Sequence, residues 1–555
     1  MSTRALPMKR RSVLVLPFAG VVATACGVAG GAGDYSALVA LHDEFLEFDR
    51  PAMENGLPDF RPETIEQQRA GLDGFADRLD AIDPAGWPVA QQVDYLLVRA
   101  RLNRLDYDLR VRRPWARDPG TYVDTVQRLA FHEFPIGEEE RARLGTQLAG
   151  VPAFLSLARE NLTDAGGELT MLALRHLVTA DGVGHGHPYR EVPPAGTIAW
   201  YEDLVGQLET HHPELLPPAR EAQAAVGEFR AWLTGNRDHM DAPSGLGREN
   251  FDWYLKYVAM MPFDWDDVNR IGDHELHRSW AFLELERNQN RGLPTVDPAP
   301  SAEDYARRIE EADEHVRKFL VDQDILTIPD YVGEFGTNVP WIVREGGRRN
   351  FWEEVQYRDP RPDHVHAVIP GHRFDGLLRS REPGPNRSSI RGAYRDRGRT
   401  EGWAFYLEEM MLQAGFLDEL PRTRELYYIF QIARAVRNGA EARMHTNEFT
   451  VQQAVDFMVA GTPFMDQDVA RVDAEIYLKT PGSGIAYQMG KLQIEELLMD
   501  SALQLGEEFD LKEFHDEFLA SGWIPVSLIR WEMTGHDDEV RDLFARPPNG
   551  NRRTE

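Results

Sequence analysis

A single cysteine, Cys26, occurs in 555 residues. One thiol cannot close an intramolecular disulfide, and it excludes the multi-cysteine thiolate cages of structural zinc sites. Beyond residue 25 no apolar run approaches the ~20 residues of a membrane-spanning helix, so the body is expected outside the bilayer. Strand-like alternation of apolar and polar residues is scarce as well. Positive charge is in short supply: 61 lysines and arginines face 91 acids, for a formal net charge of −30. A surface of that sign repels phosphate backbones, and no nucleic-acid partner is expected.

What is present begins with an N-terminus unlike the rest. Lys9, Arg10 and Arg11 precede an uncharged stretch from Val13 to Ala25 that ends in small residues, the pattern of an export signal over residues 1–25. Its end, Ala23-Thr24-Ala25-Cys26, resembles a bacterial lipobox, which implies a lipid on Cys26, a short tether over 26–40 and a place on the extracytoplasmic face of the cell membrane. The pair Arg10-Arg11 leaves the twin-arginine route open beside the general one.

With 42% hydrophobic and 27% charged residues the remainder has globular composition. Apolar residues recur at three and four positions, as from Gly71 to Leu79 and from Gln91 to Leu109, which predicts helices. Breaks rich in glycine, proline or charge fall at 112–120, 182–197, 236–247, 292–301 and 382–399, without a low-complexity linker. The expected architecture is mainly α: a large helical body with a deep central cleft, in one lobe or two. The lobes would be residues 41–240 and 241–545, followed by a tail over 546–555.

The densest histidine cluster is Asp363-His364-Val365-His366-Ala367-Val368-Ile369-Pro370-Gly371-His372. Neutral imidazoles suit zinc, although spacing alone leaves surface or core histidines equally open. The segment His366 to His372 resembles the H-E-x-x-P-G-H signature of a bacterial family filed as domain of unknown function 885, grouped with gluzincin-type metallopeptidases. Glu401-Gly402-Trp403-Ala404-Phe405-Tyr406-Leu407-Glu408, starting 29 residues after His372, resembles its E-G-W-A-x-Y-x-E helix. Arg434-Ala435-Val436-Arg437 through Glu441 to His445 resembles a third motif. Pro481-Gly482 with Tyr487 and Gly490, and Phe514-His515-Asp516 with Gly522 and Pro525, complete the order, and the likeness runs from about residue 245 to 530.

The resemblance implies a zinc site with His366, His372 and Glu401 as ligands and a fourth position open to water or substrate. The Pro370-Gly371 pair cannot continue a regular helix, so a distorted turn is expected between the histidines. Arg434, Arg437, Glu441 and His445 lie three and four apart on one predicted helix face. Arg434 and Arg437 are candidates for substrate binding, and His445 and Tyr487 for stabilising an oxyanion.

Ala367 departs from the pattern. Zinc peptidases use the glutamate at this place to accept a proton from the attacking water, and a methyl group cannot. Asp363, His364, Asp375 and Glu408 are the nearest substitutes in sequence, Glu408 being retained as a candidate catalytic residue. Two readings follow: an exported zinc metallopeptidase-like hydrolase of peptide or amide bonds, and a catalytically silent peptide-binding lipoprotein. The arginine-rich stretch from Arg379 to Arg399 is either a solvated loop or a basic flap able to grip a carboxylate. The Gly184-His185-Gly186-His187 stretch is assigned to a loop.

Overall fold

The structure, a computed structural model, describes residues 34–179, 188, 190, 193–337, 339–381 and 388–548. The export signal, Cys26, the Gly184–His187 loop, Arg387 and the last seven residues lie outside them. The fold is mainly α. Among the described residues one small sheet pairs Met53–Glu54 with Leu57–Pro58 through Asn55 and Gly56, whose positive φ angles suit a two-residue hairpin turn. The first helix, Tyr35–Phe48, starts inside the expected tether because Asp34 caps its N-terminus and Leu38, Leu41 and Phe45 find a buried face.

Two packing units dominate the N-terminal half. Helices Glu138–Asn161, Gly196–His211 and Leu216–Asn236 enclose a core of their own, with Leu148, Trp200, Leu204 and Phe229 fully buried. Helices Tyr35–Phe48, Pro62–Asp80 and Val89–Tyr107 instead share one core with the C-terminal half, where Leu41 and Leu97 join Val365, Trp403 and Phe518. Residue 240 therefore marks the end of the first of these cores only, since Met240 is its last member. Leu38 and Leu543, near the two limits of the described residues, share the core of the body that holds the histidine cluster.

Five elements build that region: the segment 361–372, helix His372–Arg381, helix Arg397–Gln413, helix Pro421–His445 and helix Ala486–Leu505. Helices Arg397–Gln413 and Ala486–Leu505 cross at glycine. A Cβ on Gly490 would overlap the Gly398 carbonyl oxygen, and one on Gly402 would meet the backbone of Gly490 at 2.6 Å. This close crossing sets Glu401 beside Tyr487.

Candidate metal centre

Residues His364–Val368 form a single π-helical turn, after which Ile369 is extended (φ −133°, ψ 129°) and a new helix opens at His372. This is the distorted turn that Pro370-Gly371 demands. A Cβ at Gly371 would overlap the carbonyl oxygen of His366, so the path between the two histidines is open only to glycine. The Trp403 indole Nε1 donates to the Pro370 carbonyl oxygen at 3.1 Å, which ties the turn to the helix bearing Glu401.

His366 Nε2 lies 3.7 Å and His372 Nε2 3.2 Å from Glu401 Oε2, and one donor atom from each residue falls within 4.8 Å of the others. Zinc bonds of about 2.0–2.1 Å in a tetrahedron place ligand atoms roughly 3.3 Å apart, so the two distances to Glu401 match a zinc donor set. Glu401 Oε2 is buried and has no hydrogen-bond partner in the protein, an acceptor left over for a cation. Burial pushes the Glu401 carboxyl up, but the two imidazoles outweigh it and hold the group well below the usual range. Two imidazoles and a carboxylate fit zinc.

The far side of His366 is held as well. Its Nδ1 lies 2.7 Å from Glu408 Oε1, and Arg434 Nη2 lies 3.1 Å from the same oxygen. Glu408 is fully buried, seven residues beyond Glu401 on the same helix. Such a carboxylate orients a ligating imidazole and raises its basicity. Glu408, expected among the catalytic residues, thus lies on the Nδ1 side of His366, away from Glu401.

The Tyr487 ring lies nearly parallel to that of His366, with centroids 6.1 Å apart and 15° between planes. Its helix is set by Glu441, whose buried carboxylate accepts the backbone N–H groups of Gly482, of Gly484 at 2.5 Å and of Ile485 at 2.9 Å. A carboxylate there satisfies donors that a helix N-terminus otherwise leaves open. A cavity of about 480 Å³ opens against Glu401 and Tyr487, lined also by Arg397, Thr400, Asp473 and Tyr477.

Other expected residues sit elsewhere. His445 shares the face of Arg434, but eleven residues of helix carry it roughly 16 Å along the axis. There it is fully buried, stacked on Phe251 at 5.2 Å with Nε2 3.1 Å from the Tyr477 carbonyl oxygen. Burial lowers its pKa to about 3, so it is a neutral core histidine. Arg434 and Arg437 are equally buried. The first is paired with Glu408 and the second with Asp473 at 2.9 Å, and both guanidiniums lie over the Tyr487 ring. A buried guanidinium keeps its carboxylate partner, so both charges are matched inside the protein.

Of the substitutes for a base at position 367, His364, Asp375 and Glu408 are engaged by other side chains, while Asp363 Oδ2 is buried without a hydrogen-bond partner. Ala367 is itself packed in the main core. His364 points away, its Nε2 2.8 Å from Asp313 Oδ1, because residues two apart in a helical turn face nearly opposite sides. Asp375 binds Arg399 and accepts the Trp523 indole N–H at 2.9 Å. Asp363 is fully enclosed, and burial raises its pKa. His515 bridges Tyr406 at 2.9 Å and the Ile325 carbonyl at 2.8 Å, a structural role.

Two carboxylates that the motifs did not mark line the cavity: Asp396 and Asp473. Burial pushes Asp396 up to about 7. Its only sequence signal is its place as N-cap of helix Arg397–Gln413, where it accepts the Arg399 N–H at 2.6 Å.

No curated protein matches the chain. A solved structure from Shewanella oneidensis, described as a lipoprotein of unknown function, is similar to the fold with a TM-score of 0.72 at 17% identity, covering 90% of this chain and 100% of that one. Another from Colwellia psychrerythraea, also described as a lipoprotein, reaches a TM-score of 0.67 at 15% identity over 91% of this chain and 98% of that one. At such identity they speak to the fold alone. Residues 45–326 and 364–533, most of the chain and the whole histidine–glutamate centre, match the family described as "Bacterial protein of unknown function (DUF885)", and the chain belongs to that family.

Proposed function

We propose that the protein is an exported, lipid-anchored hydrolase of peptide or amide bonds that works with a zinc ion held by His366, His372 and Glu401. The observation that carries this reading is the spacing of those three donors around the buried Glu401 Oε2, with Glu408 and Arg434 behind His366. The motif order that resembles gluzincin metallopeptidases supports it. The lipobox at Cys26 and the lipoprotein descriptions of both similar structures support the anchor.

Bound zinc supplies Lewis-acid polarisation of a carbonyl and activation of water. The rest falls to side chains of this chain. Tyr487, beside His366, is placed to donate its phenol proton in a hydrogen bond to the oxygen that becomes negative as the carbonyl is attacked. Ala367 cannot accept the proton of the attacking water, so that role passes to a carboxylate of the cavity wall. Asp396, with a proton affinity near neutrality, suits a general base better than Asp473, which is neutralised by Arg437.

The second reading, a silent peptide-binding lipoprotein, is favoured by Ala367 and by the structural engagement of Asp375 and Glu408. Metal analysis of purified protein with a peptide-library cleavage assay separates the two. About one zinc per chain with chelator-sensitive cleavage is the expected result. Peptide binding without cleavage, with or without zinc, gives the binder, and a metal-free protein indifferent to chelators overturns the zinc hydrolase.

A further inference from the structure

Beside the metal centre lies a second cavity of about 470 Å³ that shares Arg395, Asp396, Arg397 and Ser483 with the first. Its walls come from distant parts of the chain. Arg101 and Arg104 project from helix Val89–Tyr107, while Arg395 and Arg397 stand at the start of the helix that bears Glu401.

In so acidic a protein most arginines are consumed by carboxylates. The neighbours of these four are: Arg99 pairs with Asp80, Arg110 with Asp106, Arg391 with Asp94 and Glu532, and Arg399 with Asp375. Among the described residues, Arg101, Arg104, Arg395 and Arg397 have no carboxylate oxygen within 4.0 Å. Arg101 donates to the Ala393 carbonyl at 3.1 Å and keeps its buried Nη1 without a partner. Arg397 donates to Ser483 Oγ at 2.6 Å, and Arg395 lies over the Trp523 ring.

The acids of this cavity do not cancel the cluster. Asp108 is engaged by Arg112 at 2.7 Å. Burial raises the pKa of Asp49 and pushes Asp396 up to about 7, which weakens their negative charge. The result is a cationic recess opening onto an otherwise anionic molecule. Guanidiniums left without a carboxylate partner at the wall of a cleft match planar carboxylates.

We infer that Arg101, Arg104, Arg395 and Arg397 form a subsite for a carboxylate of the substrate, which orients a peptide toward His366, His372 and Glu401. The inference rests on the proposed peptide chemistry of the adjoining site, and it names the substrate class: peptides bearing a carboxylate, at the C-terminus or on an acidic side chain. Retaining a carboxylate there also selects short, processed peptides over intact chains when the group is the C-terminus.

Fluorescence polarisation with dye-labelled penta-alanine tests it on the full-length protein. Three probes are compared, each with zinc and with a chelator: the free acid, the C-terminal amide, and the amide with glutamate at the central position. The free acid or the glutamate-containing amide is expected to bind about tenfold more tightly than the plain amide. Tight binding of the acid alone assigns a terminal carboxylate, and tight binding of the glutamate amide a side chain. Arg104→Gln with Arg397→Gln, two exposed positions that leave the core intact, is expected to abolish the preference.

Equal binding of all three probes by the native protein, or an undiminished preference in the double variant, would overturn the inference. Carboxylate preference that persists in a protein without zinc and without hydrolysis would refute the proposed metal chemistry and leave the subsite standing.

Discussion

Glu408 lies 2.7 Å from Nδ1 of His366 while Arg434 lies 3.1 Å from the same carboxylate oxygen, so the imidazole that faces Glu401 is braced from behind by a buried ion pair. Replacement Glu408→Gln keeps the shape and removes the charge. Zinc affinity, read by competition with a chromophoric chelator, is expected to fall about 10- to 100-fold. An affinity within twofold of the native value would remove Glu408 from the metal's support.

Ala367→Glu restores a carboxylate next to His366. Loss of a general base costs about 10²- to 10⁴-fold, so cleavage of a peptide identified in the library screen is expected to rise toward that range. If the native protein already cleaves well and the variant is slower, Asp396 is the working base, and Asp396→Asn is then the slow variant.

Gly490→Ala inserts a methyl group where the helices bearing Glu401 and Tyr487 touch backbone to backbone. Overpacking of this kind costs about 1–3 kcal/mol. Urea unfolding should show that loss, accompanied by weaker zinc binding as Glu401 and Tyr487 are pushed apart.

His176 joins the N-terminal helix Gly167–Val178 to the C-terminal helix Gln467–Lys479, 2.8 Å from Glu475 and 3.2 Å from Asp124. Burial opposes its charge, but Asp124 and Glu475 outweigh that and raise its pKa to about 9. A raised pKa means the folded state holds the proton more tightly. The contribution, on the order of 3 kcal/mol, is fully present below the unfolded pKa near 6.5 and is lost as pH rises through about 9. The urea midpoint should decline across that window, and His176→Gln should flatten the decline.

Cys26→Ala removes the only acceptor for a lipid at the lipobox. Labelled palmitate should no longer enter the protein, and the protein should leave the membrane fraction. Continued membrane association would point to a retained signal as the anchor.

Much of the site was legible in the linear order of residues. A ligand's chemistry belongs to the side chain itself, so the run His366 to His372 and the Glu401 motif marked the histidine–glutamate centre directly, and Pro370-Gly371 foretold a break in the helix. Periodicity was less dependable. It put His445 on the face of Arg434 correctly, but a face three turns long has two ends, and only one reaches the centre. Nor does anything local reveal that Glu408 and Asp473 hold Arg434 and Arg437.

The sequence by itself determined the helical class, the acidic surface and the donor set, all of which follow from residue types and short spacings. Only the tertiary structure decided which donors converge, that Glu408 stands behind His366, and that Arg101 and Arg104 meet Arg395 and Arg397 across nearly three hundred residues. Those relations depend on close backbone crossings such as Gly402 on Gly490 and on the N-terminal helices sharing a core with the C-terminal half. Long-range packing of this kind is a property of the assembled core, and no window of the chain contains it.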